Sequence, residues 1–259
     1  MAKTALITGA SAGIGEALAW VHAEKGGDLI LVARRKERLD VLAAAITADH
    51  GVRVEVITAD LSKPGAAKRL VAEVEERGLQ VDILINNAGL GAHGAFHESA
   101  LERQTTMLQV NITALTELTH LLVQGMVERG NGKVLNVGST AGFLPGPLQA
   151  VYYATKAFVN SFSQAIANEL EGTGVTVSVL CPGPVATEFQ GVADMGGVKG
   201  FDFAADARSV AECGYRAMEK GRLVVVNDPK LRVLLEGIVP FIPRRPLLWM
   251  SRKTMEKSA

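Results

Sequence analysis

The 259-residue chain has only two cysteines, Cys181 and Cys213, and they form no CxxC pair. That excludes a disulfide framework and fits a reducing compartment. No surplus of charge is present either: 27 Lys and Arg balance 27 Asp and Glu, for a net charge of zero. Neither a basic surface for nucleic acid nor an acidic tail is expected. Long apolar runs are also missing. The most apolar late stretch, Leu231 to Met250, is interrupted by Arg232, Glu236, Arg244, Arg245 and three prolines. A membrane-spanning helix needs about 20 predominantly apolar residues, so none is expected. The opening MAKTALITGA enters a strand at once. It has no charged leader followed by an apolar run and a cleavage site, so a secretory signal is not expected and a cytoplasmic location is. No linker, repeat or low-complexity tract divides the chain.

What is present is a 48% hydrophobic sequence with 27 glycines, in which β-branched apolar runs alternate with helical stretches. Strands are predicted at Lys3–Thr8, Asp28–Ala33, Arg53–Thr58, Asp82–Asn86, Lys133–Gly138, Thr176–Cys181 and Leu223–Asn227. Helices are predicted at Gly13–Lys25, Lys36–His50, Pro64–Arg77, Leu101–Glu128, Ala150–Glu171 and Asp206–Lys220. Strands apolar throughout must be covered on both faces. Alternating β and α therefore predicts an α/β doubly wound Rossmann-type domain, a parallel sheet of about seven strands with helices on both faces. Residues 1–228 form it, and 229–259 are a helical tail belonging to the same domain. Glu188 to Ala205 breaks the rhythm, and loops this long in a compact domain are usually functional lids or mobile.

Two features carry chemistry. The first predicted strand runs into Gly9-Ala10-Ser11-Ala12-Gly13-Ile14-Gly15 and then into a helix. Strand, glycine turn and helix is the context in which such glycines mean a dinucleotide. Gly9 suits the tight turn, Gly13 lets backbone approach a pyrophosphate, and Gly15 allows close packing. The helix N-terminus offers free N–H groups and a positive dipole end. The spacing is GxxxGxG rather than the general GxGxxG. Far downstream, Tyr152 and Lys156 stand one helical turn apart on one face. A free phenol with a pKa of about 10 exchanges protons poorly near neutrality. A fixed ammonium beside it is expected to lower that value and make Tyr152 a general acid/base. Tyr153 rivals it by proximity but lacks Lys at i+4, and reads as a packing residue.

With Thr8-Gly9-x-x-x-Gly13-x-Gly15, Asn86-Asn87-Ala88-Gly89, Asn111, Ser139, Tyr152-x-x-x-Lys156 and Pro182-Gly183 in this order, the chain resembles the short-chain dehydrogenase/reductase family in its short single-domain form. The resemblance covers roughly residues 3 to 227. It implies that Ser139 bonds the substrate oxygen and Tyr152 passes the proton. It also implies that Lys156 tunes Tyr152 and bonds the nicotinamide ribose, and that Asn111 distorts its helix and holds a water linked to Lys156. The implied cofactor set is Gly9, Ser11, Gly13, Ile14, Gly15, Arg34, Asp60, Leu61, Asn87, Ala88, Gly89, Tyr152, Lys156, Pro182, Gly183, Val185 and Thr187. Among these, Asp60 pairs with the adenine amino group, and Thr187 with the backbone after Pro182 clamps the carboxamide. A turn role for Asn86 and a capping role for Asp60 stay open.

The second predicted strand ends in Ala33-Arg34-Arg35, with no carboxylate at its tip. An acid there would bond the ribose hydroxyls of NAD. A guanidinium can instead bind a 2′-phosphate through two hydrogen bonds, so Arg34 predicts NADP(H). The other reading is two solvated arginines starting a helix. Ala12 stands where many NADP-using relatives carry a basic residue, so NAD(H) remains possible.

The expected activity is hydride transfer between nicotinamide and a carbonyl or secondary alcohol (EC 1.1.1 type). Phe189, Met195, Phe201 and Phe203 read either as an apolar wall that favours a hydrophobic ketone or aldehyde or as residues packed on the protein itself. A non-catalytic dinucleotide-binding sensor or scaffold is the alternative. His93 and His97, at i, i+4, lie among glycines with no third ligand, so no metal is expected. Ser139 lacks the GxSxG surroundings of an acyl nucleophile. In the tail, Leu231, Leu234, Leu235 and Ile238 are spaced as one helical face, broken by Pro240-Phe241-Ile242-Pro243. A homodimer or homotetramer is expected, as in many family members, with the tail covering a neighbour or the lid. Contact with a membrane surface through Arg244, Arg245, Arg252 and Lys253 is the other use.

Overall fold

The structure, a computed structural model, describes residues 3–198 and 204–257. Phe201 and Phe203 lie outside the described residues. Seven parallel strands form one sheet: β1 (Thr4–Thr8), β2 (Asp28–Ala33), β3 (Val54–Thr58), β4 (Ile83–Asn86), β5 (Gly132–Val137), β6 (Val175–Cys181) and β7 (Val224–Val226). The order is β3-β2-β1-β4-β5-β6-β7. Leu6 of β1 is in register with Ile30 on one side and Leu84 on the other. Side chains alternate across the sheet. Ile7, Leu29 and Leu31 face α1 (Gly13–Ala23), α2 (Lys36–His50) and α8 (Ala207–Glu219) through Leu18, Leu39, Ile46 and Met218. Leu6, Ile30 and Val32 join the opposite cluster, with Leu70 and Val74 of α3 (Ala66–Glu76) and Leu118 and Met126 of α5 (Leu115–Glu128). α6 (Ala150–Glu169) adds Ile166 to that cluster, and Leu170 at its C-terminal cap packs there too. Burial on both faces is why these strands read as continuous apolar runs.

The chain order reverses between β1 and β4. The carboxyl ends of the strands diverge there, which is where doubly wound sheets bind ligands. Thr8, Asn86 and Val137 end their strands at this edge.

Two helices depart from a simple 3.6-residue repeat. The segment predicted as one helix, Leu101–Glu128, is α4 (Leu101–Leu108), a π-helical stretch Gln109–Ala114, and α5. The tail begins with α9 (Pro229–Arg232), capped by Asp228 Oδ1 accepting from the N–H groups of Lys230 and Leu231. A π-helical turn Val233–Ile238 and a 3₁₀ turn Val239–Phe241 follow. Between residues 229 and 241 the buried residues are Leu235 and Val239, with Leu231 partly buried, whereas Leu234 and Ile238 are exposed. The face expected from Leu231, Leu234, Leu235 and Ile238 is therefore corrected. The wider π turn brings i and i+4 into line. These residues and Leu247 of α10 (Arg244–Met255) pack on Phe143 and Leu144.

Candidate active site

One cavity of about 390 Å³ runs along the carboxyl edge of the sheet, from the glycine turn to Tyr152. At its first end the turn is built for close approach. Gly9 has φ +68°, and a Cβ on it would lie 2.8 Å from Asn87 Nδ2. A Cβ on Gly15 would lie 2.4 Å from the Gly9 carbonyl oxygen. Asn87 Nδ2 donates to the Thr8 and Gly9 carbonyls, and Thr8 Oγ1 accepts from the Asn87 and Ala88 N–H groups. These bonds tie the ends of β1 and β4 together. No side chain caps the N-terminus of α1, so its first N–H groups face the cavity for a phosphate to accept. Ser11, Gly13, Ile14, Asp60, Leu61, Ala88 and Gly89 line the same cavity.

Asp60 Oδ1 accepts from Ser62 N–H and Ser62 Oγ–H, a local turn of the capping kind. Burial raises its carboxyl, but the Ser62 bonds and the nearby Arg34 guanidinium outweigh that and hold it below the ordinary Asp value. Asn86 lies deeper than a turn residue. Its Nδ2 donates to Thr119 Oγ1 and to Asn136 Oδ1, both at 2.9 Å, within a buried polar chain between β4, β5 and α5.

At the tip of β2, Arg34 and Arg35 both line the cavity. Arg35, given no role from sequence, is the one that grips the glycine turn. Its guanidinium donates to Ser11 Oγ at 3.1 Å and to the Ser11 carbonyl at 3.3 Å. It also pairs with Glu188 at 2.8 Å, and Arg38 bonds the other Glu188 oxygen. Bonds from Arg38 and Arg35 hold the Glu188 carboxyl below its usual range. Glu188 follows Thr187, whose Cγ2 would lie 2.9 Å from a Cβ on Gly13. The segment after β6, which carries the short α7 (Phe189–Val192), thus straps across the glycine turn and buckles onto α2. Arg35, Arg38 and Glu188 carry no motif. Only their charge and the missing carboxylate at the β2 tip mark them.

The catalytic end joins β5, α6 and the π-helical stretch. Ser139, just past β5, accepts from the Ala141 N–H at 3.0 Å, which fixes its hydroxyl toward the cavity. Lys156 is buried and donates to the Val137 carbonyl at 2.8 Å. Its Nζ lies 5.9 Å from the centre of the Tyr152 ring. The expected lowering of the Tyr152 pKa is not the direction found. Burial pushes the phenol up to about 12, against a smaller lowering from the Ser139 hydroxyl. Burial also brings Lys156 down to about 8. Desolvation disfavours the charged form of each group, and it is the largest influence on both.

Asn111 sits in the π-helical stretch and is buried. Its Oδ1 accepts from Leu90 N–H at 2.8 Å, and its Nδ2 donates to the Leu90 carbonyl and to Thr155 Oγ1. A Cβ on Gly89 would lie 3.6 Å from both Asn111 Oδ1 and Lys156 Nζ. Asn111 thus locks the loop after β4 onto α6 beside Lys156. A wider helical turn at a functional position is a recurring use of π geometry.

Beyond Tyr152 the cavity is walled by Tyr153, Phe189, Val192, Met195 and Met255, with Gln149. The Phe189 and Tyr152 rings lie 5.5 Å apart. Tyr153 is a wall residue as well as a packing one, and its hydroxyl donates to Met255 Sδ at 3.4 Å. His93 forms a bond with the Met255 carbonyl at 2.7 Å, whereas His97 lies beside Glu98 on the exposed surface. Pro182, Gly183, Val185 and Thr187, in the segment after β6, line the cavity as well. The Pro182 carbonyl accepts from Thr140 N–H, and Gly183 N–H donates to Asn227 Oδ1. Cys181 and Cys213 are free thiols.

A phosphate-ready helix terminus, a glycine cradle and basic groups at one end, with Ser139, Tyr152 and Lys156 at the other, fit a nicotinamide dinucleotide. The family model for short chain dehydrogenases matches residues 3–195. The chain belongs to the short-chain dehydrogenase/reductase family. It is 37% identical over 188 residues to a short chain dehydrogenase of Pseudocercospora fijiensis, covering 72% of this chain and 60% of that longer protein. It is 39% identical over 190 residues to the NADP-dependent 3-hydroxy acid dehydrogenase YdfG of Salmonella typhi, covering 72% of this chain and 75% of the relative. A short-chain dehydrogenase from Sphingobium yanoikuyae, solved in complex with NADPH, superposes with a TM-score of 0.82 at 33% identity, over 93% of this chain and 97% of that one. By family the protein is an NAD(P)-dependent oxidoreductase acting on CH–OH groups. No helix among the described residues is long and apolar enough to cross a membrane.

Proposed function

We propose that the protein interconverts an apolar ketone or aldehyde and the corresponding alcohol, with NADP(H) as the preferred cofactor. One observation carries this reading. A single cavity joins the glycine turn and Arg34–Arg35 to Ser139, Tyr152 and Lys156, and ends in a wall of Tyr153, Phe189, Val192, Met195 and Met255.

The nicotinamide, when bound, supplies or accepts the hydride. The protein handles the oxygen and its proton. In reduction, the Ser139 hydroxyl donates a hydrogen bond to the substrate oxygen and Tyr152 gives it a proton. With a pKa of about 12 the phenol is protonated at neutral pH, and the developing alkoxide is the stronger base. In oxidation the same oxygen returns its proton to Tyr152. Lys156 keeps a positive charge near the phenol ring, and its N–H groups not used on Val137 remain free to bond a ribose hydroxyl. Asn111 holds the loop and α6 in this register. Gly9, Ser11, Gly13 and the start of α1 would hold the phosphates, and Asp60, Leu61, Asn87, Ala88 and Gly89 the adenosine side. Pro182, Gly183, Val185 and Thr187 would orient the carboxamide. NADP(H) is favoured because the β2 tip carries two guanidinium groups and no carboxylate.

The test is a panel of aliphatic and aromatic ketones and aldehydes, followed by loss of NADPH absorbance. Turnover of apolar members, abolished in Tyr152→Phe, supports the proposal. Tight NADPH binding with no turnover of any carbonyl or alcohol would point to a dinucleotide-binding sensor instead.

A further inference from the structure

Residues 229–257 differ from the rest of the molecule in charge and in surface. They carry seven of the 27 basic residues and two of the 27 acidic ones. Of the fifteen large hydrophobic side chains exposed among the described residues, seven lie in this segment, with Phe241 at 82% and Trp249 at 64%. Monomeric proteins rarely gather exposed apolar groups in this way unless the surface meets something.

The arrangement on α10 indicates what it meets. Leu247 and Ser251 are buried, and Ser251 Oγ donates to the Pro145 carbonyl at 2.8 Å, so this stripe faces the protein. Trp249 lies on the outward side. Arg245 is one turn before it, and Arg252 and Lys253 are one turn after it, at the spacing that places side chains together. Arg244 and Arg245 stand in the first turn of α10, the positive end of its dipole, where cations are unfavourable. Neither has an ion-pair partner among the described residues. Glu236 pairs with Arg232, and Glu256 with Arg252 and Lys253. Two copies meeting face to face through this surface would set unpaired arginines against unpaired arginines. A surface that is apolar within and negative at its boundary would satisfy both features. Exposed aromatic and aliphatic groups flanked by Lys and Arg are the composition of interfacial helices.

We propose that this segment docks the protein on an anionic lipid surface, with Trp249 and Phe241 entering the headgroup boundary and Arg245, Arg252 and Lys253 facing the lipid phosphates. α10 also delivers Met255 to the wall of the cavity. Docking therefore places the apolar end of that cavity near the phase in which an apolar molecule dissolves.

The test uses the full chain with vesicles of phosphatidylcholine alone and of phosphatidylcholine mixed with phosphatidylglycerol. Co-sedimentation with the anionic vesicles, weaker with the neutral ones and reduced by salt, is the expected result. The chain has two tryptophans. A blue shift of emission on vesicle addition should vanish in Trp249→Phe. Arg245→Gln with Lys253→Gln should weaken partitioning roughly 30-fold, at about a fivefold loss per neutralised charge. Absence of sedimentation with the wild-type chain would overturn the proposal, and so would equal sedimentation with both vesicles. Light scattering without lipid provides the last check. Conversion of an oligomer to a monomer by Trp249→Ser would assign this face to a second copy and overturn lipid docking.

Discussion

Arg35 and Glu188, separated by 153 positions in sequence, form an ion pair at 2.8 Å across the mouth of the cavity. The pair joins the tip of β2 to the strap that carries Thr187. The same Arg35 guanidinium holds Ser11 in the glycine turn, so any anion bound beside that turn competes with Glu188 for it.

The competition gives a directional prediction. Glu188→Gln removes the negative charge and leaves Arg35 and Arg38 free for a 2′-phosphate. The ratio of NADPH to NADH affinity is expected to rise roughly threefold, since exposed pairs of this kind are weak. Arg34→Ala and Arg35→Ala should both lower it. The loss should reach roughly one to two decades for the guanidinium that meets the phosphate. Titration of the three variants with both cofactors measures this. A wild type that binds NADH as tightly as NADPH would defeat the assignment.

Tyr152→Phe is expected to lower kcat by about 10²–10⁴-fold while leaving the NADPH dissociation constant unchanged. Tyr153→Phe removes only the bond to Met255 and should change kcat by less than about threefold. The opposite ranking of the two variants would reassign the proton donor to Tyr153.

The alternation of strand and helix was readable because the inner strands are buried on both faces, so Ile7, Leu29 and Leu31 are as apolar as Leu6, Ile30 and Val32. The glycine turn and Tyr152–Lys156 were readable because their function depends on local spacing. Three site features were not. Arg35 rather than Arg34 grips the glycine turn because of a side-chain reach that no periodicity encodes. Glu188 and Met255 reach the cavity through an irregular strap and the far end of the tail, with contacts spanning more than a hundred residues. The Tyr152 pKa was misjudged because i+4 spacing reports proximity to an ammonium and says nothing of the burial that opposes it. The tail face was misassigned because a π turn changes the period, and nothing in Val233–Ile238 announces one.

Lys156 gives activity and stability opposite pH dependences. Burial lowers it to about 8 in the folded protein, against about 10.5 for a free Lys. Below pH 8 it is an ammonium in both states. Between pH 8 and 10 the unfolded chain binds the extra proton, so stability rises with pH. Above about pH 10, Tyr152 and Tyr153, both raised to about 12, reverse the sign, because the unfolded phenols lose protons that the folded ones keep. Carbonyl reduction should instead fall as pH rises through 8, as the ammonium near Tyr152 is lost. In Lys156→Met the stability increment between pH 8 and 10 should disappear. Thermal midpoints and kcat/KM for reduction across this range test both signs. A reduction rate that is flat through pH 8 to 10 would show that the Lys156 charge is not used.

Met255 should determine which carbonyls enter. Its backbone is held by His93 and its sulfur by Tyr153, and the side chain packs on the Ala193, Met195 and Val198 cluster at the apolar end of the cavity. A truncated side chain there opens space beside Tyr152 without touching Ser139, Lys156 or the glycine turn. Each methylene accommodated in such a pocket changes transition-state binding by about 1–3 kcal/mol. Met255→Ala should therefore shift selectivity toward longer or bulkier ketones, by roughly tenfold in the kcat/KM ratio of a long to a short 2-alkanone. NADPH affinity should stay the same, because the cofactor end of the cavity is far from the substitution. Met255→Trp should do the reverse and exclude the long substrates. The measurement is kcat/KM across a homologous series of 2-alkanones for the wild type and both variants. An unchanged chain-length profile in both would mean that the tail covers the cavity without shaping its occupant, and that selection lies with Phe189 and Met195 alone.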